Sequence, residues 1–369
     1  METKIEITKS YYHDIMNIIF KNITLARESR GYTQSDMAEG VQGLTQGNLS
    51  RMEKGLLPIS DEIIRKISEF LNYPISFFQK ECNIATGSSM FYRKRISMPR
   101  KKLSKIEAQI NITSRIIDDL LESINIPEFN IPHVDVTDKM TPENIAYRIR
   151  DYLGIPSGPV ENMVSILEKH GVIVIFYDVD YDKFDGVTKF TNKSQPVIWV
   201  NENMPNDRKR FTLAHEMGHL VMHLRNQDLD LDDNEMEKQA NRFAAEFMLP
   251  FIECKKDFFN LKFNDLSSLK YYWKMSKAAI LYRAKEIGSI NEQTYTYYNI
   301  CLGRNGEKKN EREIIDIDRP TILPKMINLH IDQLGYEKSE LADMLGLSID
   351  DLNKLYLNLE VRPKFKLVL

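Results

Sequence analysis

The sequence predicts an α+β chain: an all-α N-terminal unit, a middle segment with a small β-sheet, and a helical C-terminal region. Three observations carry this. Apolar runs rich in β-branched and aromatic residues, bounded by turn formers, are confined to residues 171–177, 186–190 and 196–200. Apolar residues at helical spacing fill 103–124, 141–153, 160–170 and 266–288. The length of 369 residues calls for two or three domains. Boundaries are expected at 1–80, 81–140, 141–255 and 256–369.

Residues 25–31 read as a helix ending at Gly31, and Thr33 caps a short helix over 34–39. A glycine-containing link over 40–44 leads to a helix over 45–54 that Gly55 stops. Short helix, tight turn and polar-faced helix make a helix-turn-helix. Leu49 and Met52 are expected inside. Gln46, Asn48 and Arg51, with Gln34 from the short helix, are expected outside as groups that read base edges.

Through Leu25-Ala-Arg, Tyr32-Thr-Gln-Ser, Ala38, Leu49-Ser-Arg-Met-Glu-Lys-Gly55 and Pro58, this segment resembles XRE, or Cro/C1-type, helix-turn-helix domains. The resemblance implies DNA binding. Between Lys21 and Gln79, however, seven cationic residues face seven acidic ones, so the segment lacks the positive excess that supplies most non-specific DNA affinity. A homodimer would compensate. The segment also has one extra residue between Ala38 and Glu53 relative to the family pattern, which could tilt the second helix. A second reading is an XRE fold that binds protein or scaffolds the rest of the chain.

The next stretch, 91–105, holds seven cationic residues and no acid, with Phe91 and Tyr92 among them. Three readings are open for it: a solvated linker, extra contacts to the DNA backbone, or attachment to the following domain.

The chemistry is concentrated in Ala214-His215-Glu216-Met217-Gly218-His219-Leu220, an H-E-x-x-H pattern. Four residues apart, His215 and His219 lie on one helical face and reach one point in space. Glu216 sits one step round, where a general base can reach a metal-bound water. Catalytic zinc takes three protein ligands and keeps one position open. The third is expected from the helical stretch 234–250, which offers Glu235, Glu237 and Glu246. Glu237 shares a side with Ala240, Asn241 and Ala244 and is the favoured ligand. Glu246 returns to nearly that side and is the rival, while Glu235 points elsewhere by about 200°. Asn241 is expected to support a histidine N–H.

The stretch 172–250 resembles the ImmA/IrrE family of zinc-dependent endopeptidases. The matching residues are Gln195-Pro-Val-Ile-Trp-Val-Asn201, then Arg210-Phe-Thr-Leu-Ala-His-Glu-Met-Gly-His-Leu220 with His223, then Glu237-Lys-Gln-Ala-Asn-Arg-Phe-Ala-Ala-Glu-Phe-Met-Leu-Pro250. The resemblance implies a gluzincin-like zinc peptidase domain with two histidines and one glutamate on the metal, and places Glu237 as the third ligand. It also implies a substrate that is a DNA-bound repressor, with this chain's own N-terminal segment among the candidates. His223, one turn beyond His219, is expected as a support for a ligand, as an oxyanion-stabilising catalytic group, or as a plain polar residue at the helix end.

Cys82, Cys254 and Cys301 are far apart and lack C-x-x-C spacing, so free thiols in a reducing, cytoplasmic setting are expected, with the metal left to His and Glu. No apolar run reaches the roughly 18 residues of a membrane span, the first residues do not form a signal peptide, and the formal net charge of −3 confines any DNA contact to a local surface. Trp273 and Tyr282 are expected in the core, and the charged stretch 307–313 is expected to loop out. The tail, 329–355, has the apolar spacing of another helix-turn-helix, but Glu340, Asp343, Asp350 and Asp351 suit a protein partner better than phosphate. Two function classes follow: a zinc endopeptidase with Glu216 as base, or a DNA-binding regulator whose metallopeptidase fold serves as sensor or scaffold.

Overall fold

The computed structural model describes residues 18–81, 98–179, 181, 183–224, 232–308 and 310–357. Cys82 and the 91–97 part of the basic run lie outside the described residues. The N-terminal unit is helical: α1 (Phe20–Ser29), α2 (Gln34–Gly40), α3 (Gln46–Glu53), α4 (Asp61–Leu71) and α5 (Ile75–Gln79). Thr33 and Asp36 form a reciprocal cap on α2, with hydroxyl and carboxylate each accepting the other's backbone N–H at 3.1 and 2.9 Å. Gly31 turns the chain between α1 and α2 at φ +76°. Leu49 and Met52 are buried, and Gln46, Asn48 and Arg51 are exposed on α3. Arg27 grips Glu53 through two hydrogen bonds of 2.6 and 3.1 Å, tying α1 to α3.

Helix α6 (Arg100–Leu120) follows, then α7 (Pro142–Tyr152) and α8 (Met163–Lys169). Thr141 and Asn162 cap the last two through their side chains. Three strands, β1 (Ile173–Tyr177), β2 (Gly186–Phe190) and β3 (Pro196–Asn201), pair in the order β1-β3-β2. β1 lies parallel to β3 with Ile175 opposite Trp199, and β2 is antiparallel with Thr188 opposite Ile198. Every residue of β3 is buried. This central position follows from its uninterrupted apolar run.

Alternation divides the sheet between two cores. Ile173, Val187, Val197 and Trp199 join the N-terminal helices and α6 on one side, while Val174, Ile198 and Val200 join α7, α8 and the helices that follow on the other. Those helices are α9 (Asn206–Met222), α10 (Asp233–Met248), α11 (Phe251–Asp257), α12 (Leu266–Trp273), α13 (Lys277–Glu286) and α14 (Glu292–Arg304). Trp273 is fully buried, but Tyr282 is 55% exposed, contrary to the expectation of a core residue. Its neighbours Ile280, Leu281 and Ala284 take the inward side of α13.

The tail forms α15 (Ile322–Asp332), α16 (Lys338–Leu345) and α17 (Ile349–Asp351). Its apolar residues Leu341, Leu345 and Leu352 enter the same core as Phe77 and Ile116. Asp351 pairs with Arg30 on α1, and Asn72 donates to Ser348 at 3.1 Å. The acidic tail thus docks on the chain's own N-terminal domain.

The described residues of the stretch 307–313 do not loop out. Glu307 and Glu313 pair with Lys277 at 3.1 and 2.8 Å, Glu311 pairs with Lys270 at 2.8 Å, and Asp318 pairs with Arg210. Those three cations are almost completely buried. Charged groups inside a protein need partners, so the acids are pulled down onto them. No described helix is long and apolar enough to cross a membrane.

Candidate metal centre

α9 is held before its histidines are placed. Arg210, 1% exposed, donates to the Val160 carbonyl and to Asp318, anchoring the first half of the helix to the segment that leads into α8 and to the acidic stretch. Gly218 lets α10 approach, since a Cβ there would lie 3.0 Å from the Phe243 ring and 3.4 Å from the Ala240 Cα. Partners on α9 ascend from His215 to His219 as those on α10 descend from Asn241 to Glu237, so the two helices run antiparallel.

Their seam brings together His215, His219 and Glu237, whose ligand atoms all lie within 4.8 Å of one another. The two Nε2 atoms are 3.1 Å apart, and the Glu237 oxygens stand 3.5 Å from His215 and 3.3 Å from His219. Behind His215, Asn241 Oδ1 lies 3.1 Å from Nδ1. Behind His219, Nδ1 meets His223 Nδ1 at 3.0 Å, and His223 Nε2 meets Gln239 Oε1 at 3.0 Å.

Proton accounting fixes the roles along this chain. The Gln239 oxygen can only accept, so His223 carries its proton on Nε2 and accepts at Nδ1. His219 then donates from Nδ1, which leaves its Nε2 lone pair facing His215 and Glu237. Asn241 Oδ1 directs His215 the same way. Two lone pairs and a carboxylate therefore converge on one point, the donor set that suits zinc. Burial, with His219 beside it, pushes His223 down to about 4 and keeps it neutral.

His223 is buried with both ring nitrogens engaged, so it faces the back of His219 rather than the open side of the centre. Glu246 turns away to Arg283 and accepts the Phe251 N–H at 2.9 Å, and Glu235 pairs with Lys238 at 3.5 Å. Glu216 is 8% exposed and accepts from the Thr188 hydroxyl at 2.7 Å, which ties it to the edge strand β2. Gly186 makes room there, because a Cβ would meet Thr212 at 2.7 Å and the Trp199 carbonyl at 3.0 Å.

Gln239, Thr188, Gly186 and Gly218 escaped sequence reasoning. Only Gly218, inside the H-E-x-x-H helix, carried a signal, since an internal helix glycine points to a close approach. A cavity of about 1170 Å³ has Asn241, the residue behind His215, in its wall together with Phe211, Ala245, Tyr282 and Ile315. In the N-terminal unit, Gln34 bridges α3 to its own helix, donating to Glu53 at 2.7 Å and accepting from Gln46 at 2.9 Å.

Two histidines one turn apart, a glutamate from an antiparallel neighbour and a second glutamate beside them define a metallopeptidase-like centre, here joined to a helix-turn-helix domain. Comparison with known families agrees. Residues 167–285 match the peptidase family model described as IrrE N-terminal-like domain, and residues 23–78 match a helix-turn-helix model. The chain thus fuses an IrrE-like, metallopeptidase-type domain to an XRE-type DNA-binding domain. Comparisons with curated proteins and with solved structures gave no match.

Proposed function

We propose that the chain is a zinc-dependent endopeptidase acting in transcriptional regulation, which cleaves or inactivates a helix-turn-helix repressor, a second copy of itself included. The observation that carries this reading is the convergence of His215, His219 and Glu237 within 4.8 Å, with Glu216 next in sequence to one of them. Zinc bound by those three residues supplies a Lewis acid for the scissile carbonyl and for water. Glu216 takes the proton of the attacking water and delivers it to the leaving amine. Thr188 orients the Glu216 carboxylate from β2, and Gln239 and His223 orient His219 from behind. The cavity beside Asn241 receives the polypeptide. On α2 and α3, Gln34, Gln46, Asn48 and Arg51 contact DNA, and a homodimer would engage two half-sites.

One observation favours a second reading, a regulator that keeps the fold as a sensor or scaffold: Glu216 is buried, with one oxygen occupied by Thr188. A single experiment separates the two. Zinc-loaded parent and Glu216→Gln are incubated with candidate helix-turn-helix repressors, and fragments are mapped by mass. The peptidase reading expects equal zinc content and cleavage by the parent alone. Equal cleavage by both removes Glu216 from the mechanism, and tight DNA binding without cleavage by either supports the scaffold.

A further inference from the structure

The helix-turn-helix domain is electrostatically short of what a DNA-binding surface needs. Its seven cations balance seven acids, and several are spent internally: Arg27 on Glu53 at 2.6 Å, Arg30 on Asp351, and Lys66 on Glu62 at 2.6 Å. Base-reading side chains alone do not hold a duplex, because phosphate contacts provide most of the attraction.

The missing charge stands beside the domain but outside the segment that matches the helix-turn-helix model. Between Met98 and Ile106, α6 and its approach carry Arg100, Lys101, Lys102 and Lys105 and no acid. All four are exposed. α6 packs along α1 so that Arg100, Lys101 and Ser104 line one cleft of about 380 Å³ with Thr33, Gln34 and Gln46. The Lys105 stem lies over the α1–α2 turn, 3.3 Å from where a Gly31 Cβ would be. One acid, Glu28, lines the cleft, and a second, Asp36, reaches it through Lys101. Lys101 pairs with Asp36 at 3.0 Å, and Asp36 is further occupied by its cap on Thr33. Glu28 lies near Arg27 at 3.5 Å. Among the described residues, Arg100 and Lys105 form no ion pair.

We propose that the start of α6 is part of the DNA interface: Arg100 and Lys105, with Lys101 exchanging Asp36 for a phosphate oxygen, hold the sugar-phosphate backbone beside the groove that α3 enters. The proposal rests on the reading of α2 and α3 as the DNA-binding pair. Its warrant is that cations supplied from another element continue the very surface on which Gln34 and Gln46 meet at 2.9 Å. Lys102 differs from the others in direction. Its ammonium lies over the Tyr181 ring, 5.6 Å from the centroid, away from the cleft, and it serves as an internal control.

The test uses the full zinc-loaded chain and a random-sequence duplex of about three helical turns, with affinity measured across a series of KCl concentrations. Each phosphate contact contributes about 0.9 to the slope of log K against log salt. Arg100→Gln/Lys101→Gln/Lys105→Gln should lower that slope by about 2 to 3 and weaken binding at least tenfold at low salt. Lys105→Gln should lower it by about 1, while Lys102→Gln, with the same charge change, should leave it unaltered. Equal slopes for parent and triple variant, or equal losses for the two single variants, overturn the proposal while leaving the α2–α3 reading intact. A parent that binds no duplex at any salt overturns both. Unchanged zinc content and circular dichroism of the variants show that the fold is kept.

Discussion

Replacing Gln239 by leucine tests how the centre is built. The substitution removes the oxygen that holds the His223 proton on Nε2, while keeping the volume of a buried side chain. Freed of that acceptor, neutral His223 can carry its proton on Nδ1, which points at His219 Nδ1 from 3.0 Å. His219 must then place its own proton on Nε2, the atom that faces His215 and Glu237. Support of this kind behind a ligating histidine is worth about 10–100-fold in metal affinity, or about 1.4–2.7 kcal/mol. Competition for zinc against a chromophoric chelator at pH 7 should show that loss for Gln239→Leu. Gln239→Glu, which retains an acceptor oxygen, should stay close to the parent. An affinity for Gln239→Leu equal to the parent's, with normal thermal unfolding of the metal-free protein, refutes the proton accounting.

Other outcomes follow from the same contacts. Lys270→Met leaves Asp207 and Glu311 buried without their cation, and should lower stability by about 3–5 kcal/mol in urea unfolding. Gly186→Ala should cost about 1–3 kcal/mol by forcing β2 away from Thr212, with a matching fall in any cleavage activity as Thr188 leaves Glu216. Burial raises the Glu313 carboxyl, but hydrogen bonds from Lys277 and Ser267 prevail and bring it from 4.5 to about 2. A carboxyl with a depressed folded-state pKa stabilises above its unfolded value and loses that contribution as it protonates. Thermal unfolding of the parent should therefore fall more steeply than that of Glu313→Gln between about pH 4.5 and 2, and parallel curves would exclude the pair's contribution.

What could be read from the chain beforehand was what depends on neighbours in sequence. The strands at 186–190 and 196–200 announced themselves by β-branched runs, Thr33 and Thr141 marked helix starts, and the four-residue spacing put His215 and His219 on one face. Partners from distant elements were hidden. Nothing near Gln239 indicates that its amide meets His223 across a helix seam. The stretch 307–313 looked like solvated loop because the lysines that bury its acids, Lys270 and Lys277, sit on helices some thirty or more residues earlier and resemble ordinary surface lysines. Tyr282 read as core because aromatic residues at helical spacing usually are, whereas here it borders an open cavity. The docking of Asp351 on Arg30 joins residues 321 apart, beyond any local pattern.

The two-faced sheet has a kinetic consequence. The N-terminal helices share a core with Val187 and Trp199 on one face, whereas α9, bearing Glu216 and the histidines, packs with Val174 and Ile198 on the other. A peptide bond in the helix-turn-helix domain would have to pass around the sheet to reach the centre of its own molecule. If the chain processes itself, the cut is therefore made by one molecule on another. Its initial rate should rise with the square of protein concentration, and a Glu216→Gln chain should be cut when mixed with the parent.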